Sequence, residues 1–364
     1  MAFSLSRNAK LYVSTSLTGT YTATDTFKVE VLDGFSFPSN ASQLEVTVSE
    51  AGATPVRGQQ TFTTSIDPAE WSFSAYVRPG SDGTNVISPE DILWGAMSSA
   101  DGSGLTAAPA ATGTITDFAS SNVHQLQKLT LLFDLGDKWY RVNNCVVNQA
   151  EFDFGIDQIA MIAWSGQGSD VEEIAPIAPW VAFAPGGVVV DEEYTDIDAT
   201  AAFLQNKLTT LSIIDNAGPT TYSIAITGGN LTINNNITFL TPESLGVINT
   251  PIDHFTGTRS VTGNFTCYLK TAALESSALF AALAADTSTI TQDFGLVFSV
   301  GGIAAATTRI DFDMPHAHLV VPTINVEDVL ALSVDFSGLP HNGVDAYDLE
   351  DTNEITIKYT APTA

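Results

Sequence analysis

Positive charge is what this chain has least of. Its 364 residues carry 13 Lys and Arg against 41 Asp and Glu, a formal net charge of −28. Gripping a nucleic-acid backbone takes clustered bases, and here they occur singly. The same scarcity argues against adhesion to anionic membranes. Such acidity serves solubility in the plainest reading and a surface that must not stick to DNA in the sharper one. Cysteine is nearly absent. Cys145 and Cys267 both lie in alternating apolar patterns and read as small core residues. A disulfide between them stays open, but no framework exists. No apolar run approaches the ~18 residues of a membrane span. The opening MAFSLSRNAKLYVSTS has no apolar stretch behind Arg7, so it does not read as a signal peptide, and the chain is expected to be cytoplasmic when made. Phosphate-loop, HExxH, CxxC and GxSxG patterns are all missing.

What is present is β-forming sequence. Apolar residues make up 44% and charged residues only 15%, so the polar surface is built mostly from Thr, Ser, Asn, Gln and Gly. That suits strands and turns better than exposed helices. The stretch RGQQTFTTSIDPAEWSFSAYVRP, Arg57 to Pro79, alternates throughout and reads as one long strand with an irregularity at Asp67-Pro68. Trp71, Phe73, Ala75 and Val77 are expected to pack inward. Laid over VTGNFTCYLKT, it pairs Phe73 with Phe265, Ala75 with Cys267, Tyr76 with Tyr268, Val77 with Leu269 and Arg78 with Lys270. A helix signal follows each copy. The first has Ser88 as N-cap, Pro89 at the first helical position, then Glu90 and Asp91 at the positive end. The second runs from Ala273 to Ala285, with Leu279, Phe280, Leu283 and Ala284 on one face. Strand pairs with Gly-containing turns come next in both halves, and FKVEVLDGFSF and YSIAITGGNLT precede them. The order strand, strand, long strand, helix, strand pair, strand thus occurs twice.

Between the halves, about 166 to 205, lie Asp170, Glu172, Glu173 and the acidic run Asp191 to Asp198, with no Lys or Arg from Arg141 to Lys207. This reads as an exposed acidic connector with one short apolar strand. Metal ligands are weakly suggested. His316 and His318 share a strand face with Asp311 and Asp313 nearby, but Pro315 interrupts the run and a structural role is favoured. The run at 191–198 lacks EF-hand spacing. Paired carboxylates of the glycosidase kind carry no specificity in so acidic a chain.

The opening Arg7-Asn8-Ala9-Lys10-Leu11-Tyr12-Val13, the strand into Asp33-Gly34-Phe35-Ser36-Phe37, the TFTTSIDPAEWSFSAYVRP strand and its following helix resemble tail tube (major tail) proteins of long-tailed bacteriophages. The resemblance implies a mainly β fold with short flanking helices. It implies two tandem tail-tube-like β-sandwich or half-barrel domains, 1–166 and 206–364, flanking the connector 167–205. Neighbouring chains would join in a closed β-barrel ring. Rings would stack into a hollow tube that conducts DNA, with three chains giving six domains per ring; a ring of six whole chains is the alternative. The implied partners are further copies of the chain, the tape-measure protein, and sheath, tail terminator and baseplate proteins. DNA passes without specific binding, no membrane is entered, no cofactor or catalysis is involved, and the place of action is the virion.

Alternation then selects wall positions, since one sheet face packs and the other stays wet. Ser72, Ser74 and Tyr76 would face the channel or a neighbour, as would Glu45 and Thr47 beside Leu44, Val46 and Val48, and by the repeat Asn264, Thr266 and Tyr268. An acidic wall would repel phosphate. Two other classes compete. One is another β-rich virion decoration protein or adhesin. The other is a carbohydrate-binding sandwich, which needs exposed aromatics, whereas Trp94, Trp139, Trp164 and Trp180 read as buried.

Overall fold

In a computed structural model, residues 9–21, 25–46, 60–81, 86–88, 90–99, 105–107, 114–117, 125–177, 183–184, 188–189, 203–216, 220–285, 293–302, 308–325, 330–340 and 354–360 are described. Antiparallel strands dominate, with two short helices. The strand Trp139–Asp153 organises the first half because it is long enough to serve two sheets. Its beginning pairs with Leu129–Asp134 and Asp170–Ile174. Its end pairs with Met161–Gly168 on one side and with Ile226–Asn234 on the other. The change of sheet coincides with an irregular register near Val142 to Cys145 and with Asn144 at φ 48°, a conformation that Asn tolerates better than most residues.

The second half repeats this pattern. Arg309–Leu319 pairs along most of its length with Phe294–Val300, at its start with Thr356–Thr360, and at its end with Ala331–Gly338. Lys10–Ser14 runs between Thr26–Val29 and Leu129–Asp134. Thr210–Asp215 likewise runs between Thr220–Ile224 and Phe294–Val300. The main sheet therefore crosses both halves in the order Ala69–Tyr76, Met161–Gly168, Trp139–Asp153, Ile226–Asn234, Ser260–Tyr268, Ala331–Gly338. Among the described residues of one chain this sheet does not close on itself.

The dry face of that sheet and the second layer share one core. Trp71, Phe73, Ala75 and Val77 are buried, as alternation requires. An aromatic seam ties the halves together, with Phe152 against Phe312 at 5.1 Å and Phe154 against Phe298 at 4.7 Å between ring centres. Cys145 and Cys267 are buried free thiols, whose pKa burial raises to about 11 for Cys267 and further for Cys145.

Several expectations need correction. The stretch from Arg57 is two strands, not one. Gln60–Ile66 pairs with Ala41–Val46 in a separate hairpin, and Ala69–Tyr76 lies in the main sheet. Pro68 has no N–H for a ladder and ends the first strand. Leu44 and Val46 do not pack under this hairpin, because both of its faces are open; Leu44 is 58% exposed. Ser88 does not cap the first helix. The helix is Asp91–Ser98, Glu90 holds the cap position and no side chain bonds to the helix start. Pro89 lies outside the described residues. The second helix begins at Ser276 rather than Ala273, with Leu279 and Leu283 buried but Ala284 exposed. The acidic segment is not loop at its start. Asp170–Ile174 is a strand, where Glu172 and Glu173 meet Arg141 and Lys138. The run 191–198 and Trp180 lie outside the described residues.

Candidate functional site: the wet face of the sheet

Strand residues alternate sides, so burying Trp71, Phe73 and Ala75 turns Ser72, Ser74 and Tyr76 to the other face. The ladders then align this face across both halves. One row reads Ser74, Ala163, Glu151, Thr232, Thr262, Ser337. A second reads Ser72, Ser165, Gln149, Asn234, Ser260, and a third Asp153, Asn230, Asn264, Asp335. Short polar side chains bond along and across these rows. Asn264 Nδ2 donates to Asn230 Oδ1 at 2.9 Å, the Thr227 and Thr266 hydroxyls are 2.9 Å apart, and the Ser36 and Ser72 hydroxyls are 3.0 Å apart. Such bonds hold side chains flat and leave a smooth polar wall.

Its charge has one sign. Glu70, Glu151, Asp153 and Asp335 stand on this face, and the stretches of the six strands that pair here, 69–76, 161–168, 146–153, 226–234, 260–268 and 331–338, contain no Lys or Arg; Arg141, early in Trp139–Asp153, belongs to the other sheet. The cations lie elsewhere, as in Arg78 with Glu30 and Arg259 with Glu354. Duplex phosphates approaching such a wall meet repulsion and no site for counterion release.

The positions selected from sequence divide. Ser72, Ser74, Asn264 and Thr266 lie half-buried on the wet face, and Tyr268 is 50% exposed at its end. Tyr76 shares the face but sits edge-on to Phe203 at 5.5 Å, with Arg78 over the same ring at 4.7 Å. Glu45 is on the separate hairpin, opposite Thr61 and away from the rows. Thr47 lies outside the described residues. Gln149, Glu151, Asp153, Thr232 and Asp335 escaped sequence selection. Their signal was there, as the polar members of alternating runs, but nothing in sequence says which strands will be neighbours.

No metal cluster of three or more His, Cys, Asp and Glu forms among the described residues. His316 contacts the Asp293 carboxylate at 2.8 Å, and Asp311 pairs with Arg309 at 2.9 Å. No helix among the described residues is long and apolar enough to cross a membrane.

Comparison with known proteins matches residues 72–338 to the profile of the phage tail tube protein family. The tail tube protein pb6 of Escherichia phage T5 is 34% identical over 376 aligned positions, covering all of this chain and 78% of the relative.

Proposed function

The chain belongs to the phage tail tube proteins, structural components of the virion that assemble with their own copies, and from that premise we propose how its parts build a conduit. Residues 1–166 and 206–364 act as two tube units, with 167–205 passing between them. Three chains supply six units to a ring, and rings stack around the tape-measure protein and later around passing DNA. The wet face lines the channel, with Ser72, Ser74, Asn264, Thr266 and Tyr268 on its wall, Tyr76 at its margin, and Glu45 and Thr47 at the contact between chains. Sheath, tail terminator and baseplate proteins meet the ends or outside of the tube.

One observation carries this reading: a polar face six strands wide with four carboxylates and no cation. DNA slides where each phosphate is refused, and stalls where cations trade counterions for contacts. The test replaces Glu151 and Asp335 with Lys. Tubes of normal length should form by electron microscopy, while DNA ejection slows at least tenfold at low salt and recovers as salt is raised. Ejection at the normal rate at low salt, from tubes of normal appearance, would refute the assignment of this face to the channel.

A further inference from the structure

The two halves of the chain are joined by a ladder whose two sides each have an unoccupied counterpart. On the joining strand, Val147 faces Gly166 and Glu151 faces Ala163, so four residues are spent against three. At the end of the second half, Leu319 faces Phe336 and Thr323 faces Ser333, again four against three. Glu151 and Phe152 therefore correspond to Thr323 and Ile324. The first pair has outer partners, Thr232 and Leu231. Thr323–Asn325 has no outer ladder partner among the described residues.

The other side of the joint corresponds in the same way. Ile226 faces Cys267 and Asn230 faces Asn264. Val31 faces Ala75 and Ser36 faces Ser72. Residues 31–37 thus occupy the place of 226–231, and among the described residues they pair only inward. Each of these edges then runs into a hairpin before the sheet resumes. In the second half it is Ile237–Leu240 with Asp253–Thr256. Ile237 and Phe239 are buried there against Leu126 and Val146 of the first half, Leu126 N donates to His254 Nε2 at 3.2 Å, and Ile237 N donates to Asn148 Oδ1 at 2.9 Å. In the first half it is Ala41–Val46 with Gln60–Ile66, where Leu44 is 58%, Phe62 48% and Val46 37% exposed. The open edge at the far end exposes Val320, Val321 and Ile324. Apolar side chains are thus bare at the two places that correspond to the halves of a joint already made inside the chain. Unpaired strand edges with apolar flanks are templates for another chain.

We propose that the internal joint is repeated between chains. Residues 36–38 of one copy pair antiparallel with Thr323–Asn325 of the next, Pro38 opposite Thr323 and Phe37 opposite Ile324. The Leu44, Val46 and Phe62 arm lies over the next copy's Val320 and Val321. The occupant of both surfaces is a second copy of this chain, because the shape each edge requires is one the chain itself presents. The proposal rests on the tube reading and adds which edges meet, and in what register.

The register is testable with thiols. Phe154 N donates to Gly229 O at 2.9 Å, which makes Asp153–Asn230, and two residues on Glu151–Thr232, non-hydrogen-bonded pairs. In such pairs the Cα atoms stand about 4.5 Å apart, within reach of a disulfide. The corresponding pair between chains is Pro38 with Thr323. Full-length Pro38→Cys and Thr323→Cys chains, mixed equally, assembled into tubes and treated with a mild oxidant, should give covalent dimers, and the double variant should give a ladder ending in a closed ring. Native Cys145 and Cys267 are buried and stay silent. Tubes that form normally but cross-link no better than a Pro38→Cys and Val321→Cys mixture would overturn the joint while leaving the tube reading intact. A wild-type chain that forms no tubes under any condition would overturn the tube reading, and the joint with it. Where a thiol variant fails to assemble, Leu44→Ser with Phe62→Ser decides: monomer melting should stay unchanged while the concentration needed for assembly rises at least tenfold. Unchanged assembly would sink the arm's part.

Discussion

The two hairpin arms of this protein have the same place in the chain order and differ at their bases, although both expose apolar side chains further out, as Leu240 and Phe255 do on the second. Ile237 and Phe239 are buried at the base of one; Leu44 and Phe62 stand in water on the other. The helices differ similarly. Every residue of Asp91–Ser98 is buried, and Trp94 Nε1 donates at 2.7 Å to Tyr359 Oη from the second half. The later helix, Ser276–Ala285, leaves Ala281 and Ala284 exposed, and Leu274 just before it is 50% exposed. The difference teaches that a repeat can be complete in backbone and incomplete in burial. The base of the arm in the middle of the chain is covered where the base of the arm near its start is bare, as in repeat proteins whose terminal units lack a neighbour.

The sharpest way to break this comparison is at the glycines of the two corresponding edge segments, 226–231 and 31–37. Gly229 has φ 152°, and a Cβ there would lie 2.2 Å from Asn264 O. Gly34, its counterpart, has φ 99° and nothing within 4 Å of a Cβ. Gly229→Ala should leave little folded protein. Gly34→Ala should cost the monomer only about 1–2 kcal/mol of backbone strain. Chemical denaturation of both variants, followed by tryptophan fluorescence, reads the contrast; equal losses would mean that the two positions are not alike. A smaller effect is expected at the arms. Phe239→Ala removes a buried ring and should cost about 3 kcal/mol. Leu44→Ala should change monomer stability by less than about 0.5 kcal/mol. A large loss at Leu44 in the isolated monomer would mean that the first arm is already packed.

Alternation in Ala69–Tyr76 and Ser260–Tyr268 was legible because each strand buries one face, so period-two patterning reports the environment directly. The repeat looked weak because partners compensate. Trp71 faces Gly166 in one ladder, and Gly263 faces Phe336 in the other. The large residue moves across the pair, so the volume is kept while both columns of an alignment mismatch. The wet rows were illegible for another reason. Glu151, Thr232 and Asp335 are far apart in sequence and meet only through ladders, and ladder order is not a local property. The arm misled because Leu44 and Val46 alternate as buried residues do; their pattern reflects a surface that one chain alone does not cover.

The smallest of the three contrasts lies at the helix starts. Glu90 precedes the first helix as Glu275 precedes the second, each after a strand with a base two residues beyond its end, Arg78 or Lys270. Glu275 is half-buried, 3.9 Å from Lys270. Glu90 is 1% exposed and accepts from Tyr359 Oη at 3.0 Å. Burial pushes its pKa from 4.5 up to about 7. Asp91 is pushed up to about 7 as well, first by burial and then by the charge of Glu90. A carboxyl whose folded pKa lies above its unfolded value binds its proton more tightly in the folded state. Stability is then highest below pH 4.5, falls as pH rises towards about 7, and is lowest above that. Glu90→Gln keeps the carbonyl that accepts from Tyr359 and cannot ionise. It should therefore stabilise the chain at pH 8 by at most about 3 kcal/mol, with the gain shrinking to nothing near pH 4. Glu275→Gln should change stability by less than about 0.5 kcal/mol. Thermal melts of both variants across that pH range provide the check. A Glu90→Gln gain that is flat with pH would show that the carboxylate reaches water, and that Tyr359 does not seal the first helix as the comparison of the halves requires.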